Sequence, residues 1–408
     1  MLDGLLIRQV HNRLGSSGLP LALTLWNGQE LASAIPAKVR LTLHSPRVLK
    51  VLARPTLGDL ARAYVEGELG IEGDARDILR LGENLCNDCS GTSVRGTEAW
   101  KWWRHTRTRD RKNIQYHYDV SNDFYALWLD RNRVYSCAYF KTPELSLDAA
   151  QEAKLDLICR KLDLKPGEQF LDIGCGWGGL ILWAAEHYGV RARGITLSDN
   201  QRDYVNEQIA ARGMADRVDV RHMDYRDVGE EGQYDKVASV GMFEHVGRRN
   251  LPDYFAKIFR LLKPGGLVMN HGITAQLPHT KGLGNGIAEF AEEYVFPGGE
   301  LVHISEVMAA ATRAGLECLD GENLRPHYGR TLWHWVTRLE SRADEAKHMI
   351  GERKYRIWRI YMAGAAHAFD QGWMELWQVL AGKPAAAGLQ PAYSFNRENF
   401  YREHTRSS

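Results

Sequence analysis

Short apolar runs recur through the middle of the chain, separated by segments in which apolar residues have helical spacing. Runs of this kind are typical of strands buried on both faces. They predict strands near residues 170–173, 190–197, 217–221, 234–240 and 265–270. Strands alternating with helices indicate right-handed crossovers between parallel strands, so the pattern predicts an α/β fold with a doubly wound sheet.

The first 97 residues have a different pattern. Residues 39–43 (VRLTL) alternate apolar and polar positions, which predicts a half-buried strand. From residue 57, apolar side chains recur at helical spacing until Gly67, which predicts a helix. We expect a small α+β module without a convincing set of catalytic residues, suited to docking or dimerisation.

Two later segments are rich in aromatic residues. Glycines flank an aromatic helical piece at 282–301, which suits a lid or the wall of an apolar channel. Residues 355–380 carry Trp, Tyr and Phe at mixed helical spacing. We interpret this second segment as a helix that packs in the core, in preference to one that lines a substrate site.

The strand at 170–173 runs directly into a glycine-rich turn, FLDIGCGWGG. Its glycines also fit G-x-G-x-x-G, a weak signal for a dinucleotide. With Asp172 and Gly178, however, the stretch resembles motif I of the S-adenosylmethionine-dependent methyltransferases. We therefore predict a ligand at this turn, in preference to a purely structural glycine turn, because open sheets bind ligands at their carboxyl edge.

Composition excludes several classes of protein. The chain has 408 residues, with 52 Lys and Arg against 51 Asp and Glu, so no global basic field favours nucleic acid. Six scattered cysteines favour a reduced compartment, and the lone pair Cys86 and Cys89 does not complete a metal site. The N-terminus does not resemble a secretory signal, and no apolar run is long enough to span a bilayer. We expect a cytoplasmic protein without a metal.

Residues 99–113 (AWKWWRHTRTRDRKN) combine three tryptophans with a cluster of bases. Bases attract anionic headgroups, and Trp favours the membrane interface. The segment therefore fits either a contact with a membrane surface or a solvated connection between domains, and the sequence favours neither.

Polar residues gather where the predicted strands end. Ser198 and Gln201 form an S-x-x-Q capping box for the next helix. Asp199 fits either a ribose-binding acid or an acid in the first turn of that helix. Together with Asp224–Arg226, Glu244 and His271, these residues mark the carboxyl edge of the sheet as the site.

Several motifs occur in a specific order: YHYDVSNDFYALWL, YSCAYF, LDIGCGWGG, GMFEHVG, EEYVFPGGEL and PHYGRTL. With them the chain resembles the cyclopropane-fatty-acyl-phospholipid synthases, of the mycolic acid cyclopropane synthase-like methyltransferases. The resemblance implies a Rossmann-like class I methyltransferase domain at 113–408 and a basic aromatic linker at 98–112. It also implies a sterol carrier-like lipid-binding domain at 1–97, where the match is looser.

The resemblance implies a methylene transfer from S-adenosylmethionine to a cis double bond in a phospholipid acyl chain. It places the donor at Tyr135, Ser136, Gly174, Gly176, Thr196, Gln201, Tyr225 and Arg226, to which the motif adds Asp172 and Gly178. It places a bicarbonate ion, acting as base, at Cys137, Glu244, His271, Ile273 and Tyr328. Glu244 and His271 are expected to orient this ion and relay its proton, and Tyr328 and the backbone N–H of Ile273 to donate hydrogen bonds.

Three residues need separate interpretation. Cys137 has no neighbour in the sequence that favours a thiolate, so we assign it to ion binding in preference to nucleophilic attack. His245 follows Glu244 directly, and we interpret it as structural. Glu293 stands where the family usually has a base, which makes headgroup preference uncertain.

Other functions remain open at this point. Relatives methylate olefinic lipids without ring closure, or methylate small amines; the intact ion-site residues favour alkene chemistry. A lipid-binding protein with an inactive methyltransferase domain is a further alternative, and a dinucleotide dehydrogenase a distant one. As partners we expect the inner face of a phospholipid membrane, peripherally, and a second copy in a homodimer.

Overall fold

The structure is a computed structural model of the chain. It describes residues 7–8, 12, 21–32, 36–86, 121–229, 231–278, 283–296, 299–385 and 393–401. By contacts the chain divides into two compact units. The first unit contains residues 1–98, 280–297 and 332–373, and the second contains residues 99–279, 298–331 and 374–408.

Two late segments, 280–297 and 332–373, thus belong by contacts to the same unit as the N-terminal residues. Both segments lie within residues 113–408, which are predicted to form the methyltransferase domain. The functional domains at 1–97 and 113–408 stay a prediction. The basic aromatic linker at 98–112 lies outside the described residues.

The first unit is built on a four-stranded sheet with the order β2-β1-β3-β4. Its elements are β1 (Leu21–Thr24), β2 (Glu30–Ala32), β3 (Val39–Leu43), α1 (Val48–Ala53), α2 (Leu57–Val65), β4 (Leu69–Glu72) and α3 (Ala75–Leu85). Strand β3 alternates buried and more exposed positions, as its sequence predicts. Helix α2 also confirms its prediction, and Thr56 caps it by accepting a hydrogen bond from the N–H of Asp59 at 3.0 Å.

The second unit begins with α4 (Asn122–Ala126), α5 (Leu147–Lys161), β5 (Gln169–Ile173), α6 (Gly179–Tyr188), β6 (Arg191–Thr196), α7 (Asp199–Ala211), β7 (Val218–His222), β8 (Tyr234–Val240), α8 (Leu251–Leu261) and β9 (Leu262–Ala275). After a helix of the first unit, α9 (Ile287–Tyr294), the second unit continues with α10 (Ile304–Arg313) and β10 (Glu317–Asn323). All five strands predicted in this region are present.

The remaining elements are α11 (Arg325–Ser341), α12 (Ala343–Ile350), α13 (Glu352–Asp370), β11 (Met374–Gly382) and α14 (Glu398–Tyr401). Helix α11 begins in the second unit and passes the boundary at residue 332. Helices α12 and α13 belong to the first unit, and β11 and α14 to the second.

The sheet of the second unit has seven strands in the order β10-β11-β9-β8-β5-β6-β7. Strands β5 to β9 pair in parallel, and β10 and β11 join antiparallel. The prediction of an α/β fold with a doubly wound sheet is confirmed. Because the strand order reverses around β5 and β8, their carboxyl ends form the edge at which such sheets bind ligands.

The prediction of one aromatic helix over 355–380 is only partly right. Helix α13 ends at Asp370, and residues 374–382 form strand β11 between β9 and β10. A strand paired on both sides and covered on both faces has no alternation of apolar and polar residues, so its pattern resembles a buried helix. Within α13, Tyr355, Trp358 and Phe369 are buried, as core packing predicts.

The core of the second unit lies on both faces of its sheet. Consecutive residues of β5 belong to different apolar clusters: Phe170 packs with α5, α6 and α7, and Leu171 packs with α8 and α10. This is the alternation expected of a strand covered on both sides. None of the helices in the described ranges is both long and apolar enough to cross a bilayer.

Candidate active site

The glycine turn after β5 is open to a ligand at Gly176, whereas the N–H groups of Gly174 and Gly178 donate within the protein. Gly174, Gly176 and Gly178 have φ of 83°, 55° and 81°, a region that strongly favours glycine. A Cβ at Gly178 would lie 2.9 Å from a methyl of Val205, whereas a Cβ at Gly176 would meet nothing within 4 Å. The helix that follows starts at Gly179, and its N-terminus faces this turn.

A buried carboxyl and a buried amine lie beneath the turn. Asp172 is 3% exposed, and desolvation raises its pKa to about 7, although Lys154 opposes that rise. Its Oδ1 has no hydrogen-bond partner among the described residues. Lys154 is 1% exposed, burial lowers its pKa to about 8, and its Nζ donates to Ser136 Oγ at 2.9 Å.

Helix α5 also fixes the loop that carries the predicted residues 135–137. The side-chain amide of Gln151 donates to the carbonyls of Val134 and Ser136, at 3.2 and 2.8 Å. On the other side of the loop, Asp130 accepts from the N–H of Val134 at 2.8 Å. The ring of Tyr135 packs on Trp128 with their centroids 5.4 Å apart. The loop is therefore held from both sides.

At the end of β6, Thr196 and Gln201 bind each other. The hydroxyl of Thr196 donates to Gln201 Oε1 at 2.7 Å, and both residues are buried. Ser198 caps α7 by accepting from the N–H of Gln201 at 3.3 Å. The predicted capping box thus forms only in part, because the Gln201 side chain turns to Thr196 instead of the Ser198 N–H.

Asp199 is the first residue of α7 and lies 2.7 Å from Arg202 and 3.3 Å from His222. Its side chain is half exposed. These contacts are those of an acid in the first turn of a helix, the second of its two interpretations.

Tyr225 and Arg226 lie in a short 3-10 turn after β7. The Arg226 guanidinium lies 2.6 Å from a carboxylate oxygen of Asp224 and 5.5 Å from the centre of the Tyr225 ring. The Asp224 carboxylate also caps this turn by accepting the N–H of Arg226 at 2.9 Å. The turn follows the carboxyl end of β7, where Thr196 of the neighbouring strand pairs with His222.

Glu244 lies in a 3-10 turn after β8 and packs against β9. Its Oε1 accepts the backbone N–H of Ile273 at 2.7 Å, and its Oε2 has no hydrogen-bond partner among the described residues. Burial raises the pKa of this carboxyl to about 7. The Ile273 N–H, predicted to bind an ion, therefore holds Glu244 in this structure.

His271 lies in β9 opposite Val240, the last residue of β8. It is 1% exposed, and burial together with the charges of Lys154 and Lys161 holds its pKa well below the usual value. The amide nitrogen of Gln378 lies 3.1 Å from His271 Nδ1, and Nε2 has no hydrogen-bond partner in the described part of the chain.

The five residues predicted to hold an ion are linked through neighbouring backbone. The Cys137 thiol lies 3.9 Å from the carbonyl of Leu324, which also accepts the N–H of Tyr328 at 3.1 Å. Leu324 in turn donates to the carbonyl of Leu376 at 2.7 Å, and Leu376 pairs with Ile273. Leu324 thus connects Cys137 and the backbone of Tyr328 to the paired strands that carry Ile273 and His271.

The thiol of Cys137 is fully buried, and desolvation raises its pKa above its usual value. A thiol in this state is a poor nucleophile. The geometry agrees with our preference for a role other than covalent attack.

A family model described as mycolic acid cyclopropane synthetase matches residues 105–379, more than half of the chain. The chain belongs to this family. A probable fatty acid methyltransferase of Pseudomonas putida is 44% identical over 399 residues, 97% of this chain and 100% of that protein. The cyclopropane-fatty-acyl-phospholipid synthase of Escherichia coli (strain K12) is 37% identical over 276 residues, 68% of this chain and 69% of that protein.

Among solved structures, that of the mycolic acid cyclopropane synthase CmaA1 complexed with SAH and CTAB has a TM-score of 0.64 and 34% identity. The match covers 67% of this chain and 98% of the CmaA1 chain. Membership in the family makes the protein an S-adenosylmethionine-dependent methyltransferase, which confirms the predicted enzyme class and methyl donor. The roles of the individual site residues stay predictions.

The polar side chains that support the site of this family member were not predicted from the sequence. Gln151, Lys154 and Lys161 are buried on helix α5. Gln378 is buried on β11, which was taken for helix. The spacing 151, 154, 161 places the three helical residues near one face, a signal that a search for polar residues within an apolar stripe would find.

Three further predictions concern the first unit or its neighbourhood. Glu293, the departure from the family pattern, pairs with Arg62 at 3.0 Å, so it is an ion-pair partner within that unit. Cys86 is buried, and Cys89 lies outside the described residues. The segment 282–301, predicted to form a lid or the wall of an apolar channel, contains helix α9, and its role stays a prediction.

Proposed function

We propose that the protein transfers a methylene unit from S-adenosylmethionine to the cis double bond of an unsaturated phospholipid acyl chain and closes a cyclopropane ring. The observation that supports this best is the pair of buried polar atoms Glu244 Oε2 and His271 Nε2, which lack protein partners among the described residues. They lie at the sheet edge that carries the glycine turn, so acid–base groups and a donor site occur together.

In this proposal, groups at the ends of β5, β6 and β7 bind the donor. The open position at Gly176 in the glycine turn and the N-terminus of α6 suit the methionine portion of the donor. The buried pair of Thr196 and Gln201 offers polar groups to the rest of S-adenosylmethionine. When bound, S-adenosylmethionine supplies an electrophilic methyl group.

An alkene is a weak nucleophile, so the protein must align it with the sulfonium methyl in a site that excludes water. His271 is 1% exposed and Glu244 Oε2 is buried, so the surroundings of these two groups meet that need. Methyl transfer leaves a carbocation, and ring closure requires the added methyl to lose a proton. Glu244 is suited to hold a proton at neutral pH because burial raises its pKa to about 7.

The same residues fit a bicarbonate ion. Bicarbonate has one hydroxyl that donates and oxygens that accept, and Glu244 Oε2 and His271 Nε2 offer a buried acceptor and a buried ring nitrogen for it. Bound there, the ion would supply a base that is not alkylated as a protein carboxylate would be. Cys137 and Tyr328 would complete its surroundings.

The proposed substrate is a lipid in a membrane surface. The three tryptophans and the bases of residues 99–113 suit anionic headgroups, and the first unit suits a lipid-docking role. We propose that the protein acts in the cytoplasm and binds the inner face of the membrane peripherally, with a homodimer as its assembly.

Methylation of an olefinic lipid without ring closure is the second candidate. The Pseudomonas putida relative, which this chain matches over 97% of its length, is named a probable fatty acid methyltransferase. This outcome also requires the carbocation to lose a proton, from a different carbon. A buried base therefore serves either product, whereas methylation of an amine needs no base for a carbocation.

Transfer of labelled methyl tests the proposal. The protein is incubated with methyl-labelled S-adenosylmethionine and vesicles of unsaturated or fully saturated phospholipid. We expect label in the lipid extract only with unsaturated chains. Label in neither extract, or equal label in both, would contradict alkene chemistry.

A further inference from the structure

A row of four polar side chains leads from helix α5 to the ring of His271. Lys161, at the end of α5, contacts the carboxylate of Glu322 in β10 and donates to Gln378 Oε1 at 2.8 Å. The amide nitrogen of Gln378 lies 3.1 Å from His271 Nδ1. Lys161, Gln378 and His271 are each at most 1% exposed, so water does not replace these contacts.

The direction of each hydrogen bond in this row follows from chemistry. An ammonium group only donates, so the oxygen of the Gln378 amide must face Lys161. The amide nitrogen then faces His271, and it also only donates. Nδ1 must therefore accept, which places the proton of a neutral imidazole on Nε2.

A reversed amide would place its two N–H groups against the ammonium of Lys161. The two N–H groups of the amide would then lack an acceptor in a buried site, which is unfavourable. The register keeps the arrangement in place as well, because Gln378 and His271 are paired residues of β11 and β9. Glu322 balances the charge of Lys161 and so retains the ammonium as the donor.

We propose that Gln378, oriented by Lys161, is a positioning residue that locks His271 in the neutral tautomer with its proton on Nε2. The ring then donates a hydrogen bond into the active site and does not take up a proton. When the C–H bond of the added methyl breaks and its electron pair closes the ring, the proton passes to the base in the site, and the protein group to which that base relays it is the Glu244 carboxylate.

Two observations besides the row of contacts support this division of roles. Protonation of His271 would place an N–H on Nδ1 directly against the amide nitrogen of Gln378, and the charges of Lys154 and Lys161 also oppose an imidazolium. Glu244, by contrast, keeps one oxygen without a partner among the described residues and has a pKa raised to about 7. The catalytic consequence rests on the proposed function, whereas the tautomer itself does not.

The tautomer is measured on the full-length protein labelled with 15N-histidine, at about pH 7 and without donor or lipid. Long-range 1H–15N correlations distinguish the two nitrogens, and the signal that disappears in H271N identifies the ring. We expect the pattern of a neutral imidazole protonated on Nε2. A ring protonated on Nδ1, or on both nitrogens, would overturn the proposal. Deuteron positions from neutron crystallography provide the same answer independently.

The variant Q378E replaces the amide group that donates to His271 Nδ1 by a carboxylate that accepts, at nearly constant side-chain shape. A carboxylate accepts, so we expect the His271 proton to move to Nδ1 and turnover to fall at least ~10-fold, as for a misplaced general acid–base group. The Kd of S-adenosylmethionine should stay within about twofold, because Gln378 is not among the donor-site groups. The matched control is Q233E, the same change at an exposed glutamine, and we expect it to alter neither the tautomer nor turnover.

The outcomes separate this inference from the proposed function. If the tautomer is as expected and Q378E keeps both the wild-type tautomer and wild-type turnover, Gln378 is not a positioning residue. If wild-type protein transfers no methyl to an unsaturated lipid, the proposed function fails. The NMR result then still decides the tautomer.

Discussion

Glu244 is the residue on which the proposed chemistry depends most. One oxygen of its carboxylate is held by the Ile273 N–H, and the other has no protein partner among the described residues. We expect E244Q to lower turnover at least ~100-fold, the scale typical of a lost acid–base group. Calorimetry should find the Kd of S-adenosylmethionine nearly unchanged, because Glu244 lies outside the glycine turn.

The variant H271A provides a comparison at the same site, and we expect a similar loss of turnover with donor binding retained. Equal losses of donor affinity and turnover in either variant would show that the residue shapes the donor site instead.

The raised pKa of Glu244 predicts a pH dependence of the rate. Only the ionised carboxylate accepts a proton, and burial raises the pKa of the folded-state group to about 7. Turnover should therefore be full above pH ~8 and fall as pH decreases through about 7, roughly tenfold per pH unit below it. The measurement is turnover at saturating donor from pH 5.5 to 9, with the concentration of bicarbonate ion held constant.

The residual activity of E244Q provides the control for that profile, because an amide does not titrate in this range. A wild-type profile that is flat from pH 5.5 to 8, or an E244Q profile with the same fall, would contradict the role of Glu244 as proton acceptor.

At the scale of elements, the turn after β8 packs directly on β9 because residue 272 has no side chain. A Cβ at Gly272 would lie 2.2 Å from a ring carbon of Phe243 and 2.9 Å from Glu244 Oε1. We expect G272A to move the turn and with it the carboxylate. Displacing a catalytic group by about 1 Å can cost ~100-fold in rate, and overpacking costs about 1–3 kcal/mol of stability.

The measurement is turnover together with the free energy of unfolding by urea. The control is G229A, since a Cβ at Gly229 meets nothing within 4 Å and its φ is not positive. If G272A retains full turnover, the carboxylate does not depend on this close approach.

Elements that follow local rules were predictable from the sequence, and elements defined by partners were not. The five parallel strands and the glycine turn have short apolar runs and glycines that identify them. Strand β11 was mistaken for the end of a helix because both its edges and faces are covered. The polar face of α5 was missed because Lys154 and Lys161 find their partners Ser136 and Glu322 only in the folded chain.

In the candidate site, too, residues that belong to sequence motifs were predictable, and residues defined by their partners were not. The residues carried over from the family motifs, such as Glu244 and His271, meet at one edge of the sheet. Their supports, Gln151 and Gln378, belong to no motif, and sequence spacing does not reveal that they lie beneath that edge. The Ile273 N–H binds Glu244 here, a contact that depends on how closely the turn approaches β9.

At the scale of the whole molecule, the proposed substrate requires a membrane contact. Replacing Lys101, Arg104, Arg107 and Arg109 with Gln should weaken binding to anionic vesicles, since each base near a charged surface contributes about 1 kcal/mol. The difference from wild type should shrink as salt increases, because salt screens these charges. Vesicle cosedimentation at two salt concentrations measures it.

The matched control removes four bases that lie on the exposed surface of the second unit, namely Lys141, Lys165, Arg191 and Arg313. It changes net charge by the same amount. Unchanged vesicle affinity in the first variant, or equal weakening in both, would contradict a membrane contact and favour the interpretation of residues 99–113 as a connection between domains.

The structure of the lipid product tests the central claim most directly. Unsaturated phospholipid vesicles are incubated with the purified protein, S-adenosylmethionine and bicarbonate, and the acyl chains are analysed by mass spectrometry before and after ozonolysis. We predict that product chains gain one CH2 and resist ozonolysis, because the double bond has become a ring. Product chains that gain the same mass but are still cleaved by ozone would contradict ring closure and identify the protein as an olefin methyltransferase.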